Sequence, residues 1–289
     1  MAVRDLEGAV VAITGAGRGI GLATARALAA RGARVAIGDI DATLARKAAE
    51  GLGRKGQHRG GALDVRDRTS FAAWLDSVQG TLGDIDVLVN NAGIMPMGAF
   101  LDEADALSDT QIDVNLRGVI HGCKLVLPGM IARGSGHIVN VASMAGKVAM
   151  PGLAVYCATK FAVVGLTEAL REEHRDTGVE FSAVLPSKVT TELSSGTDFA
   201  QGVIPTVSPE DVADAVLLAL DKQLPEIAVP RYCTTVTNLQ GVLPHQLLRG
   251  LRRMANDHRI LESTDNTARA GYERRLESLA GNAPRKRKS

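Results

Sequence analysis

Tyr156 and Lys160 stand four residues apart in Tyr-Cys-Ala-Thr-Lys, and Ser143 lies thirteen residues upstream of the tyrosine. Positions i and i+4 share a face of a helix, so a helix from Ala154 to Arg175 makes the phenol and the ammonium neighbours. A phenol whose ordinary pKa is about 10 is a poor base at neutral pH. A fixed positive charge beside it favours the phenolate, lowering that pKa toward the range where a proton is exchanged during a reaction. A serine hydroxyl brought to the same place can hold a substrate oxygen. A Tyr–Lys pair at this spacing is by itself more often an ordinary surface pair. Its weight comes from the segment that precedes it.

Residues 14 to 21 read Thr-Gly-Ala-Gly-Arg-Gly-Ile-Gly, directly after the apolar, strand-like run Ala9–Ile13, and open a helical stretch that reaches Arg31. Gly15, Gly17, Gly19 and Gly21 let the backbone turn sharply and approach a pyrophosphate, while the helix N-terminus, at Arg18 and Ile20, offers unpaired N–H groups and partial positive charge. Asp39 closes the next apolar run, eighteen residues beyond Gly21. A carboxylate there accepts hydrogen bonds from the adenosine ribose of NAD and repels the 2′-phosphate of NADP. Arg18 argues the other way, because a basic residue in the glycine loop can pair with that phosphate. Asp39 sits against the ribose itself, so NAD is the favoured cofactor and NADP the alternative.

These two halves resemble the short-chain dehydrogenase/reductase family, over about residues 7 to 230. The spacing Gly15-x3-Gly19-x-Gly21 is similar to that of its compact oxidoreductase branch. Asn91, Ala92 and Gly93 follow the apolar Val87–Val89, where the family has a motif that stabilises the central sheet and lines the adenosine side. The resemblance places Asp64 and Val65 at the adenine ring. It makes Asn115 the support of a proton-relay water, and completes a tetrad of Asn115, Ser143, Tyr156 and Lys160. Lys160 also holds the nicotinamide ribose, and Thr191 contacts the nicotinamide carboxamide, with Pro186 and Val189 beside it. One departure stands out: the family's usual Pro-Gly after the sixth strand is Pro186-Ser187 here. A serine loses easy access to positive φ and adds a side chain near the cofactor, which puts the local backbone path in question.

The chain has 289 residues, 45% hydrophobic and 22% charged, as in an ordinary globular protein with a sizeable core. A net charge of +1 and only 3% aromatic residues give no reason to expect nucleic acid as a partner. Cys123, Cys157 and Cys233 are odd in number and lack metal-ligand spacing, which fits reduced thiols in a cytoplasmic enzyme and no bound metal. Cys157 adjoins Tyr156 but has no partnering histidine, so packing is its expected role. The first strand begins by residue 9, leaving no room for a signal peptide, and no apolar run is long enough to span a bilayer.

Strand-like runs recur at Ala9–Ile13, Arg34–Gly38, Gly60–Leu63, Val87–Val89, His137–Val141 and Val179–Leu185, with helical stretches between most of them. Ile227 opens a seventh, edge strand. This alternation predicts an α/β, Rossmann-type doubly wound parallel sheet with helices on both faces. Residues 1–230 form the dinucleotide-binding and catalytic domain, and residues 231–289 a helical extension with a disordered basic tail. Ser187 to Ser208 reads as a long polar connection of the kind that acts as a lid. Leu239, Val242, Leu243, Leu247, Leu248 and Leu251 make an apolar stripe, interrupted by Pro244. It suits packing on its own domain or a neighbouring subunit, with lipid-surface contact as the alternative.

The resemblance implies hydride transfer between a nicotinamide and an alcohol or ketone, in a homodimer or homotetramer. Ile94-Met95-Pro96-Met97 and the segment from Met144 to Leu153 flank the nicotinamide end, and Met95, Met97 and Met150 give an adaptable apolar wall. That favours a lipophilic substrate, unless these segments simply pack against the tail. Two other classes compete: a nucleotide sensor without turnover, and a membrane- or partner-docking module built on the basic tail.

Overall fold

Val10–Thr14 reads Val-Val-Ala-Ile-Thr and is buried at every position, as a strand covered on both faces must be. Its side chains alternate between two cores: Val10 and Ala12 join one cluster, Val11 and Ile13 the other. This is β1 of a computed structural model that describes residues 6–53, 56–194, 205–234 and 266–281. The other strands of its sheet are β2 (Arg34–Asp39), β3 (Arg59–Ala62), β4 (Val87–Asn90), β5 (Gly136–Val141), β6 (Val179–Pro186) and β9 (Glu226–Val229). All pairings are parallel, in the order β3-β2-β1-β4-β5-β6-β9. The strand beginning near Ile227 is the edge strand, as expected. The order reverses between β1 and β4, and ligands bind beyond the strand ends at such a switch point.

Helices α1 (Gly19–Ala30), α2 (Ala42–Glu50) and α7 (Pro209–Lys222) cover one face of the sheet. The other face carries α3 (Arg68–Leu82), α4 (Asp105–Ile112), α5 (Gly118–Arg133) and α6 (Ala154–Glu173). Local chemistry sets several starts. Asp41 caps α2, Asp67 caps α3, and Ser208 with Asp211 forms a capping box around Pro209 at the head of α7. The start of α1, at Arg18, has no side-chain cap.

The described ends of the connection from Ser187 to Ser208 carry regular structure. It contains the strands β7 (Lys188–Val189) and β8 (Thr206–Val207), paired parallel, and a 3₁₀ turn at Glu192–Ser194; residues 195–204 lie outside the described residues. The apolar stripe from Leu239 to Leu251 and the basic C-terminal residues also lie outside them. A last helix, α8 (Asn266–Leu279), returns to the body of the fold, where Leu276 enters the core shared by α3, α5 and α6.

Candidate active site

A chain of buried amides ties α6 to the sheet. Asn90, at the end of β4, donates to Asn140 Oδ1 on β5 at 2.9 Å, and Asn140 Nδ2 donates to Thr167 Oγ1 on α6 at 2.9 Å. None of these groups can exchange its partner for water, so the helix is fixed in register against the strand ends. Tyr156 and Lys160, one turn apart on α6, are 7% and 5% exposed. Ser143 follows β5; its Oγ accepts from the Ala145 amide at 3.1 Å and makes a long contact of 3.4 Å to the Pro186 carbonyl. The Ser143 and Tyr156 side chains face the same cavity. Lys160 Nζ donates to the Val141 carbonyl at 2.9 Å.

The electrostatics differ from the sequence expectation in one respect. Burial pushes the Tyr156 phenol well above its ordinary 10, with the neighbouring Ser143 hydroxyl pulling the other way. Lys160 was expected to lower that pKa. Its Nζ instead lies 5.7 Å from the centre of the tyrosine ring, and burial pushes Lys160 itself down to about 8. Desolvation, which residue spacing does not reveal, is the largest influence on both groups.

Asn115 sits in a π turn, Asp113–Arg117, that joins α4 to α5 in one helical run. Such turns are frequent at functional positions. The residue is fully buried, and both ends of its amide are committed: Oδ1 accepts from the Ile94 amide and Nδ2 donates to the Ile94 carbonyl, each at 2.8 Å. Nδ2 also reaches Thr159 Oγ1 at 3.3 Å. The side chain therefore holds the loop after β4 against α6. A Cβ at Gly93, in that loop, would stand 3.4 Å from Asn115 Oδ1 and 3.7 Å from Lys160 Nζ.

The glycine-rich turn has the form a dinucleotide requires. Gly15 and Gly19 adopt φ of 61° and 55°, and a Cβ on Gly21 would come within 2.6 Å of Ala16 Cα. The uncapped first turn of α1 leaves its N–H groups available to an anion, so the residues present fit a pyrophosphate. Asn91 fastens this turn to β4, donating to the carbonyls of Thr14 and Gly15 at 2.9 and 3.0 Å; the amides of Asn91 and Ala92 donate to Thr14 Oγ1. The Asp39 carboxylate is 8% exposed and accepts from the amides of Gly17 at 3.0 Å and Asp41 at 3.1 Å. Arg18 pairs with Glu192 at 2.9 Å on the surface.

Asp64, assigned to the adenine side, has its carboxylate held by the Arg66 guanidinium at 2.7 Å, which keeps it below the usual carboxylate range. Val65 is buried beneath Gly118. Ser187 resolves the question its sequence posed. It is not among the residues with positive φ, its amide donates to the Val229 carbonyl at 2.8 Å, and its hydroxyl donates to the Pro205 carbonyl at 2.8 Å. The extra side chain serves as a fastener.

A cavity brings together Ser143, Tyr156 and Lys160 with Ile20, Asn91, Gly93, Pro186, Val189 and Thr191, and its walls are predominantly apolar. The other expected residues, including Asn115, Asp39, Arg18, Asp64, Val65 and Ala92, do not line it. Cys157 lies buried under the Met150 amide, which approaches its sulfur at 3.4 Å. Sequence reasoning missed Asn140, Thr167 and Thr159, although a polar residue inside the apolar run of β5 was a signal. It also missed Arg269 and Tyr272 of α8, for which there was none.

A seven-stranded parallel sheet with this turn and this Ser–Tyr–Lys group describes a dinucleotide-binding oxidoreductase. The sequence profile described as short chain dehydrogenase matches residues 9–200, and the chain belongs to that family. It is 39% identical over 221 residues to Oxidoreductase UcpA of Escherichia coli, an alignment that spans 76% of this chain and 81% of that protein. To D-threitol dehydrogenase of Mycolicibacterium smegmatis it is 40% identical over 231 residues, or 75% and 87% of the two chains. Among solved structures it resembles a short chain dehydrogenase/reductase from Burkholderia phymatum in complex with NAD. The TM-score is 0.75 at 27% identity, over 81% of this chain and 93% of that one. Among the described residues, no helix is long and apolar enough to cross a membrane.

Proposed function

We propose that the protein interconverts a lipophilic alcohol and its carbonyl compound with NAD(H). The observation that carries this reading is the buried Ser143–Tyr156–Lys160 group on the wall of a predominantly apolar cavity that Met95, Met144, Met150, Leu153 and Leu193 also line. Burying hydrocarbon against such a wall contributes about 0.8 kcal/mol per methylene.

A bound nicotinamide would supply the hydride acceptor or donor; the chain supplies orientation and proton chemistry. Tyr156 exchanges a proton with the substrate oxygen, and its buried, neutral phenol is ready to donate in the direction of reduction. Ser143, whose contact to Pro186 is long, turns its hydroxyl to the same oxygen. Lys160 uses one of its three donors on Val141 and keeps two for ribose hydroxyls. Asn115 positions the loop from Gly93 to Met95 through Ile94.

The glycines 15, 17, 19 and 21 and the head of α1, including Ile20, hold the pyrophosphate, with Asn91 and Ala92 bracing that turn. Asp39 accepts from the adenosine ribose, while Arg18 is engaged by Glu192, and this supports NAD over NADP. Asp64 and Val65 border the adenine, and Pro186, Val189 and Thr191 the nicotinamide. Assembly as a homodimer or homotetramer has candidate contacts in the exposed Ile112 on α4 and Phe161 on α6.

The test is a homologous series of alcohols and ketones, scored by kcat/KM with both NAD(H) and NADP(H). Efficiency climbs with chain length or ring count until the pocket is full. A relative named for D-threitol makes that polyol the natural counter-substrate. A flat series, or a polyol as best substrate, contradicts the lipophilic reading.

A further inference from the structure

Arg269, on α8, is 0% exposed, although an arginine is seldom fully buried unless its charge and donors are engaged. Its Nη2 donates to the Met95 carbonyl at 2.9 Å and its Nη1 to the Leu193 carbonyl at 3.2 Å. Met95 comes from the loop after β4 and Leu193 from the 3₁₀ turn after β7, and both line the cavity that holds Ser143 and Tyr156. One guanidinium therefore spans two separate loops of one pocket. A planar fork can bridge two acceptors at fixed geometry in a way that a flexible ammonium does not.

Three residues further along the same face, the Tyr272 hydroxyl accepts from the Met95 amide at 2.8 Å. Both backbone groups of Met95 are thus held by α8. The Arg269 guanidinium lies 5.2 Å from the centre of the Tyr272 ring, so the two holding residues also brace each other. The helix is seated at further points. Arg275 donates to Glu192 at 2.6 Å, the same carboxylate that pairs with Arg18 in the glycine-rich turn. At the far end, Arg66 donates to the Leu279 carbonyl at 2.9 Å, a cation placed on the negative end of the helix.

We propose that Arg269 and Tyr272 are specificity-determining positioning residues: by clamping Met95 and Leu193 they fix the width of the apolar pocket and so set the size of substrate it accepts. The proposal rests on the function inferred above. It gives the C-terminal helix a part in selecting substrate, although none of the described side chains of α8 lines the cavity. The buried guanidinium is useful because the backbone carbonyls of two loops need a common partner.

The experiment compares the full-length wild type with Arg269→Met, Arg269→Lys and Tyr272→Phe. One arm follows amide hydrogen exchange by mass spectrometry in the peptides carrying Met95 and Leu193. The other measures kcat and KM for a series of ketones of increasing size with NADH. Both Arg269 variants and Tyr272→Phe are expected to speed exchange around Met95, and the Arg269 variants also around Leu193, with the β1 and β5 peptides unchanged. The ratio of KM between the largest and smallest good ketones should change by about tenfold for Arg269→Met and about fivefold for Tyr272→Phe, with kcat moving less. Arg269→Lys, which keeps the charge but not the fork, should fall between wild type and Arg269→Met.

Unchanged exchange at both peptides overturns the clamp. The same loss of kcat/KM for every ketone overturns the specificity role. Should Arg269→Met fail to fold, Arg269→Lys carries the Leu193 readout and Tyr272→Phe, which keeps the ring, the Met95 readout and the dependence on ketone size. A wild type that reduces no ketone contradicts the proposed function, and the exchange arm then decides the clamp on its own.

Discussion

Lys160 Nζ donates to the Val141 carbonyl and lies 5.7 Å from the centre of the Tyr156 ring, so the ammonium is fastened to the end of β5 and not to the phenol oxygen. Both groups are buried, and burial drives each toward its neutral form: the phenol upward, the ammonium down to about 8. This pair is the most distinctive electrostatic feature of the site, and it has a consequence for stability.

An unfolded lysine titrates near 10.5 and Lys160 in the folded protein near 8. Between those values the unfolded chain binds more protons, so stability rises with pH in that window; below about 8 both states are charged and the penalty is fully present. The interval corresponds to roughly 3 kcal/mol. Lys160→Met lacks this penalty. Its melting temperature relative to wild type should therefore be most favourable near pH 7 and decline as pH rises from about 8 toward 10. Thermal unfolding of both proteins at a series of pH values checks this, and a difference that does not vary with pH contradicts it.

The Asn90–Asn140–Thr167 chain makes a second prediction. Asn140→Ala takes the oxygen acceptor from the Asn90 amide, leaving it only a 3.7 Å contact to Cys123 Sγ, and frees α6 from β5, while the Thr167 hydroxyl keeps its bond to the Val163 carbonyl. Leaving one buried polar group poorly paired costs about 1–3 kcal/mol, so a loss of roughly 2 kcal/mol is expected. The readout is the urea midpoint, with turnover falling as α6 loses its register. A midpoint equal to that of wild type would show that the chain of amides does not anchor the helix.

Much of this was legible before the structure. Tyr156 and Lys160 announce themselves because helix period puts i and i+4 together, and the glycine-rich turn because it follows an apolar run and opens a helix. Six strands and the edge strand at Glu226–Val229 followed from apolar runs and their spacing. The direction of the Tyr156 shift was not legible, because it depends on how much water the fold excludes. Nor were Arg269 and Tyr272: their partner Met95 lies 174 and 177 positions away, and no local pattern marks where a returning helix will land. Ser187 looked like a defect in a glycine position. It became intelligible only when its hydroxyl was found on Pro205.

Asp39 should make the enzyme prefer NAD(H). Asp39→Ser removes the carboxylate that accepts from Gly17 and that would face a 2′-phosphate, and should narrow or invert the preference. Arg18 must leave Glu192 to contribute, so the double variant with Glu192→Gln should shift further toward NADP(H) than Asp39→Ser alone. Relative kcat/KM with the two cofactors measures this. A wild type that uses both equally contradicts the weight given to Asp39.

The most direct test of the account compares Tyr156→Phe with wild type, following nicotinamide absorbance on the best alcohol or ketone and NADH binding by fluorescence. The substitution deletes the proton-exchanging hydroxyl and keeps the ring. Removal of a positioned acid–base group lowers the rate by about 10²–10⁴-fold. The account predicts a loss of that order in kcat with cofactor affinity nearly unchanged; turnover at the wild-type rate in Tyr156→Phe would contradict it.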